Sequence, residues 1–130
     1  MREIEHSEIE AFHRDGAVLL KGVVSDEWLA KLDHCMDLAQ QRADGRTAGM
    51  EDLLRIDHFP ADSVPALRDF IEQSPIAECV GRVLNSPVRF YMDQLFYKPA
   101  GEVIHTPWHQ DTCYYNVDGN DLIRAWVSPH

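Results

Sequence analysis

One tripeptide in the last quarter of the chain carries residue types that bind metal ions. His109 and Asp111 are separated by a single residue, Gln110. In an extended backbone the side chains of residues i and i+2 point to the same side, so both groups can reach one ion. An imidazole nitrogen together with a carboxylate oxygen suits a divalent first-row transition metal. His109 and Asp111 are therefore candidate metal ligands.

The same tripeptide has a plainer explanation, because a chain with seven histidines and many acidic residues contains such a motif by chance. Taken alone, it is better explained as a solvated turn or a hydrogen-bonded polar cluster. Two histidines and one carboxylate on one face of an ion form the site of non-haem iron(II) oxygenases, so a second histidine is needed. His105 is disfavoured because Thr106-Pro107 imposes an extended backbone. His130 could take part only if the chain folded back.

The secondary structure that must position this motif is predicted to change from helices to strands at Pro87. Before it, capping residues and apolar residues at helical spacing predict a helical region over about 1–86. The predicted helices run from a Ser7–Glu10 capping box to Gly16, from Ser25 to about Arg42, from Ser63 to Glu72, and from Ser74-Pro75 to about Asn85. A short buried strand is predicted over 17–20 and a loop over 43–49.

After Pro87 apolar and polar residues alternate, as in β-strands. The strands are predicted over 88–98, 114–117 and 122–127, with a turn over 118–121. The region of about 87–130 is therefore expected to be strand-rich, and the whole chain of 130 residues is expected to form a single α+β domain.

Composition excludes some classes of partner. Twelve basic against twenty-two acidic residues give a net charge of −10, which argues against nucleic acid and anionic membrane surfaces. The three cysteines are far apart and form no C-x-x-C pair, so free thiols in a reducing compartment are expected. No signal peptide or apolar membrane segment is present in the sequence. The expected location is the cytoplasm.

The neighbourhood of the tripeptide carries a family resemblance. The run from Tyr91 to Asp111, followed by Tyr114-Tyr115 and by Arg124-Ala125-Trp126, resembles the phytanoyl-CoA dioxygenase family, and the opening pattern from Phe12 to Val23 is similar too. The resemblance implies helices packed on a double-stranded β-helix (jelly roll). It also implies binding of iron(II) and 2-oxoglutarate, and hydroxylation of a small organic substrate by dioxygen. The substrate itself is not readable.

Carried over residue by residue, the resemblance implies that His109 and Asp111 are metal ligands. It implies that Lys98, Gln94 and Trp126 face the cosubstrate. Each of these three has an alternative: Lys98 as a solvated side chain, Gln94 as a partner of strand backbone, and Trp126 as part of the core.

The family's third ligand, a histidine, and the arginine that binds 2-oxoglutarate lie further downstream than residue 130. We therefore expect an N-terminal portion of a longer protein, with an incomplete jelly roll. Its exposed strand edges would pair with a second copy or with the missing C-terminal half. Two alternatives stay open: a non-catalytic fragment or interaction module, and, more distantly, a metal-dependent hydrolase or cupin-type enzyme that uses the same ligand pair.

Overall fold

The computed structural model describes residues 2–41, 55–97, 101, 105–119 and 121–129. The described part contains four α-helices, and most of the residues after them have no regular secondary structure. It also contains two short strands, which form an antiparallel pair. The helices are α1 (His6–Asp15), α2 (Asp26–Gln41), α3 (Pro65–Gln73) and α4 (Ile76–Leu84), and the strands are β1 (Arg55–His58) and β2 (Gln94–Tyr97). Two 3-10 helices cover Pro60–Asp62 and Asp111–Tyr114. The predicted α+β class is confirmed. None of the described helices is long and apolar enough to cross a membrane.

Helix α1 begins earlier than predicted. Its N-cap is Glu5, which forms reciprocal hydrogen bonds with Glu8, so the predicted Ser7–Glu10 capping box is wrong. Arg2 favours this arrangement because its guanidinium binds both oxygens of Glu8, at 2.8 and 2.6 Å. That hydrogen bonding lowers the pKa of Glu8 to about 2. Gly16 ends the helix in the left-handed conformation, as predicted.

The other helices follow their local signals to within two residues. α2 begins directly after Ser25, and α4 ends at Asn85, whose backbone is left-handed. The predicted capping role of Ser74 is wrong, because α4 has Pro75 as its N-cap and no capping side chain. The Ser74 hydroxyl is buried, and no group among the described residues forms a hydrogen bond with it. The predicted loop 43–49 lies outside the described residues.

The strands were predicted less well than the helices. The strand expected over 17–20 is absent, and Leu19 is 75% exposed. β2 confirms the strand character of 94–97, but its partner β1 was not predicted. Residues 88–93, 115–117 and 122–127 form no strand, and 111–114 is a 3-10 helix. A strand needs a second backbone to take up its N–H and C=O groups, and the described residues offer none to these segments. The described residues do not show a jelly roll.

Two groups of buried apolar residues hold the elements together. The α2–α3 cluster consists of Leu32, Cys35, Ala39, Ala61, Val64, Leu67 and Phe70. The α1–α4 cluster consists of Ile4, Val23, Cys79 and Val83. The irregular C-terminal segment is anchored on both, because Ile123 packs against the α1–α4 cluster and Val127 against the α2–α3 cluster. The helical part of the molecule therefore fixes the backbone on either side of Arg124.

The start of β2 is fixed by Asp93. Its backbone carbonyl accepts a hydrogen bond from Phe59 N–H at 3.0 Å, and its carboxylate Oδ2 accepts one from Ala61 N–H at 2.9 Å. Phe59 lies in the left-handed region, with φ of 57°, which is costly for a bulky side chain. Burial raises the pKa of Asp93. These contacts join the turn after β1 to the residue that precedes Gln94.

Candidate metal centre

His109 and Asp111 lie together at the start of the second 3-10 helix. Gln110 between them has an extended backbone, with φ of −107° and ψ of 126°. As expected for positions i and i+2 of an extended segment, the two side chains meet. The distance between His109 Nε2 and Asp111 Oδ1 is 3.0 Å. The local sequence pattern therefore brought the two predicted ligands to one place.

A backbone carbonyl orients the His109 ring. Its Nδ1 lies 2.7 Å from the carbonyl oxygen of Pro107. A carbonyl oxygen can only accept a hydrogen bond, so Nδ1 carries a proton and donates it. In the neutral imidazole this leaves the lone pair on Nε2, the atom that faces Asp111. Such a contact is the usual means by which a protein fixes the tautomer of a metal-binding histidine. The ring of Tyr114 also packs edge-on against His109, at 6.2 Å between centroids.

The pair fits a divalent ion. Two ligand atoms at right angles around an ion, each about 2.1 Å from it, lie about 3.0 Å apart. That is the separation of Nε2 and Oδ1. The side chains of His109 and Asp111 are 39% and 32% exposed, so an ion and further ligands can reach them. If His109 carries both protons, the same contact is a His–Asp ion pair. Within the described residues, no third His, Cys, Asp or Glu joins the two in a cluster.

The second oxygen of Asp111 has a different partner. Arg124 Nε lies 3.2 Å from Asp111 Oδ2. The same guanidinium donates a hydrogen bond to the hydroxyl of Tyr115 and lies over its ring. The Tyr115 ring in turn packs edge-on against Tyr91, at 5.6 Å between centroids. The two oxygens of the Asp111 carboxylate therefore have different partners: Oδ1 faces His109, and Oδ2 faces Arg124.

The comparison with protein families identifies the chain. The model of the family described as phytanoyl-CoA dioxygenase (PhyH) matches residues 12–128. The chain belongs to the phytanoyl-CoA dioxygenase family. The matched range includes His109, Asp111 and Arg124. No curated protein and no solved structure matches the chain.

Two further positions singled out by the family resemblance lie on or against β2. Gln94 pairs with His58 across the two strands, and its amide nitrogen is 2.8 Å from His58 Nδ1. Trp126 stacks on Phe96 with 5.0 Å between ring centroids. Gln94 and Phe96 are at positions i and i+2 of β2 and therefore share a face of the strand. Trp126 is 71% exposed, so its alternative assignment to the core is wrong.

The structure does not bring these two positions into contact with the metal pair. In the part of the chain that is described, no hydrogen bond, ion pair or ring contact joins Gln94 or Trp126 to His109 or Asp111. Lys98 and His130 lie outside the described residues. Trp108, next to His109, is fully exposed and covers nothing among those residues. Among the described residues, His109 and Asp111 therefore form one pair, and Gln94 and Trp126 lie separately, on and against β2.

The sequence patterns indicated no role for Arg124, although it lies in a run that carries the family resemblance. A usable signal existed for Arg124. It is the single charged residue in the apolar run from Leu122 to Val127. A cation that is held between apolar anchors needs a partner, because burying a charge without one is costly. Which acidic residue would be that partner could not be read from the sequence.

Proposed function

We propose that this chain supplies His109 and Asp111 to the active site of an iron(II)- and 2-oxoglutarate-dependent dioxygenase that hydroxylates a small organic substrate. The observation that carries the proposal is the orientation of the pair. Nε2 and Oδ1 are 3.0 Å apart, while Nδ1 is held by the carbonyl of Pro107. Membership of the phytanoyl-CoA dioxygenase family supports this chemistry among those that a His–Asp pair can perform.

In this proposal His109 Nε2 and Asp111 Oδ1 hold the iron. When bound, iron(II) supplies the redox chemistry by which dioxygen oxidises a C–H bond while 2-oxoglutarate is converted to succinate and carbon dioxide. The protein holds the ligands and orients what binds beside them. A neutral imidazole and one carboxylate leave a net positive charge on the ion, which favours an anionic cosubstrate.

Lys98, Gln94 and Trp126 are proposed to bind 2-oxoglutarate. The Lys98 ammonium would pair with a carboxylate, and Gln94 would donate from its amide. Trp126 already presents an exposed ring beside β2, stacked on Phe96. For this surface to hold a cosubstrate that also binds the metal, 2-oxoglutarate must reach from β2 to the ion at His109 and Asp111. Binding of 2-oxoglutarate without metal would then be weak, because its contacts with the metal are missing.

An anaerobic titration tests the proposal. Iron(II) and 2-oxoglutarate are added together to the complete oxygenase in its wild-type form and with Asp111→Ala or His109→Ala, and the visible charge-transfer absorption of the ternary complex is recorded. Asp118→Ala is a matched control, because Asp118 is an exposed acidic residue on the same segment. We expect the band in the wild type and in Asp118→Ala, and its loss in the two ligand variants.

Two results would contradict the proposal in different ways. An equal band in wild type and Asp111→Ala would show that the ligand assignment is wrong. Iron(II) binding that depends on Asp111, without any band on addition of 2-oxoglutarate, would retain the metal site and overturn the assignment of the cosubstrate.

A further inference from the structure

We propose that Arg124 is a positioning residue that presents Asp111 to the metal through Oδ1 alone. The inference rests on the proposed function, because it concerns the same carboxylate. A carboxylate can bind an ion through one oxygen or through both, and the two modes occupy different numbers of coordination positions. A site that must also accept a cosubstrate and dioxygen gains from a carboxylate restricted to one oxygen.

The contacts of Asp111 divide its two oxygens. Oδ1 faces His109 Nε2 at 3.0 Å, and Oδ2 faces Arg124 Nε at 3.2 Å. An ion bound through both oxygens would share Oδ2 with the guanidinium, whose positive charge repels it. While Arg124 keeps Oδ2, the carboxylate can offer only Oδ1 in the direction of His109.

Arg124 is itself held by a second group. Its terminal nitrogen donates to the hydroxyl of Tyr115, and its guanidinium carbon lies 5.6 Å from the centre of that ring. Tyr115 is fixed in turn by Tyr91, whose ring packs edge-on against it and whose hydroxyl accepts a hydrogen bond from Asn116 N–H at 3.3 Å. The orientation of the guanidinium plane is thus set by an aromatic pair.

The backbone of Arg124 is anchored as well. Ile123, the preceding residue, packs against the α1–α4 cluster, and Val127 packs against the α2–α3 cluster. The helices therefore determine where the guanidinium emerges, although residues 121–129 have no regular secondary structure. Arg124 therefore links the packed helices to the carboxylate of Asp111, which lies on a segment with few buried apolar residues.

The positive charge of Arg124, taken alone, would weaken metal binding, whereas its positioning of Asp111 would strengthen it. A guanidinium close to a divalent cation repels it, so removing Arg124 would strengthen metal binding if electrostatics dominated. If orientation dominates, removing Arg124 weakens binding. Lysine separates the two effects because it keeps the charge but lacks the planar fork that reaches two acceptors at once.

The test uses cobalt(II) as the probe, with its affinity measured by calorimetry and its site measured by visible ligand-field absorption. The proteins compared are the wild type, Arg124→Lys, Arg124→Ala, Tyr115→Phe and Asp111→Ala. Arg82→Lys is the matched control, because Arg82 forms an ion pair with Glu78 at 3.2 Å within α4. We expect Arg124→Lys and Arg124→Ala to bind cobalt(II) about 10- to 100-fold more weakly, the usual range for a lost partner of a metal ligand. Their absorption spectra should also change.

Tyr115→Phe should show a smaller loss of affinity in the same direction, and Arg82→Lys should match the wild type. Circular dichroism identifies any variant that does not fold; if Arg124→Ala fails to fold, Arg124→Lys and Tyr115→Phe decide the matter. Wild-type affinity and spectrum in both of these variants, together with loss of binding in Asp111→Ala, would overturn the role of Arg124 and leave the proposed function intact. Cobalt(II) binding that is unaffected by Asp111→Ala would overturn both.

Discussion

Asp93 joins β2 to the turn that follows β1, and its replacement should reveal how strongly that turn depends on it. Ala61 is buried, and its N–H donates to Asp93 Oδ2 at 2.9 Å. In Asp93→Ala this buried donor loses its acceptor, which costs about 1–3 kcal/mol. Asp93→Asn keeps a carbonyl-type acceptor of the same shape and removes a buried charge. Its stability should lie within about 0.5 kcal/mol of the wild type at neutral pH, or above it.

The same residue gives a pH dependence of known sign. Burial raises the pKa of Asp93 above its ordinary value of 3.8, so the folded chain holds this proton more tightly than the unfolded chain. The contribution of Asp93 to stability is therefore fully present below the unfolded value and is lost as the pH rises through the folded value. Asp93→Asn should lack this decline.

The assay is urea unfolding followed by far-ultraviolet circular dichroism between pH 4 and pH 7. Glu27→Ala is the control, because Glu27 forms an exposed ion pair with Lys31 at 3.0 Å within α2 and is not among the charges that act on Asp93. That pair is worth about 1 kcal/mol at most. The reasoning would be refuted if Asp93→Asn were as destabilised as Asp93→Ala, since the acceptor would then not be what matters.

Two further predictions concern the helix starts. Arg2 holds the pKa of Glu8 at about 2, below its unfolded value of 4.5, so the stabilisation is present above the unfolded value and is lost as the pH falls through the folded value. Glu8→Gln should flatten acid denaturation in that interval, and an unchanged acid transition would contradict this. Ser74→Ala removes a buried hydroxyl for which the described residues offer no hydrogen-bond partner, and it should raise the free energy of unfolding by about 1 kcal/mol. A clear loss of stability in a thermal melt of Ser74→Ala would show that the hydroxyl has a partner.

The helices were predictable because their signals are local. Gly16 and Asn85 end helices where a left-handed backbone is needed, and apolar residues at helical spacing mark the buried face of α2. Strands depend on a partner that is distant in sequence. The alternation over 122–127 describes a side-chain pattern, but no described segment pairs with it, so no strand forms. β1 went unpredicted because its partner, β2, lies more than thirty residues away.

The same distinction between local and long-range contacts explains which parts of the candidate site could be predicted. His109 and Asp111 could be predicted because one extended residue between them puts both side chains on one side. The contact of Asp111 with Arg124 could not, because it depends on where the two core clusters hold the C-terminal segment. The family resemblance indicated Gln94 and Trp126 as residues that face the cosubstrate. It could not show that Gln94 lies in β2 and that Trp126 stacks on Phe96 of the same strand.

Nitrogen-15 NMR of labelled histidine tests most directly whether His109 binds a divalent metal through Nε2 next to Asp111, as proposed. Zinc(II) is a suitable probe because it binds imidazole nitrogen and is diamagnetic. Saturating zinc(II) should shift the Nε2 resonance of His109, while Nδ1 remains protonated in its hydrogen bond to Pro107. Asp111→Ala should weaken this response. A shift at Nδ1 instead, or no change at His109 when zinc(II) binds elsewhere, would contradict the account.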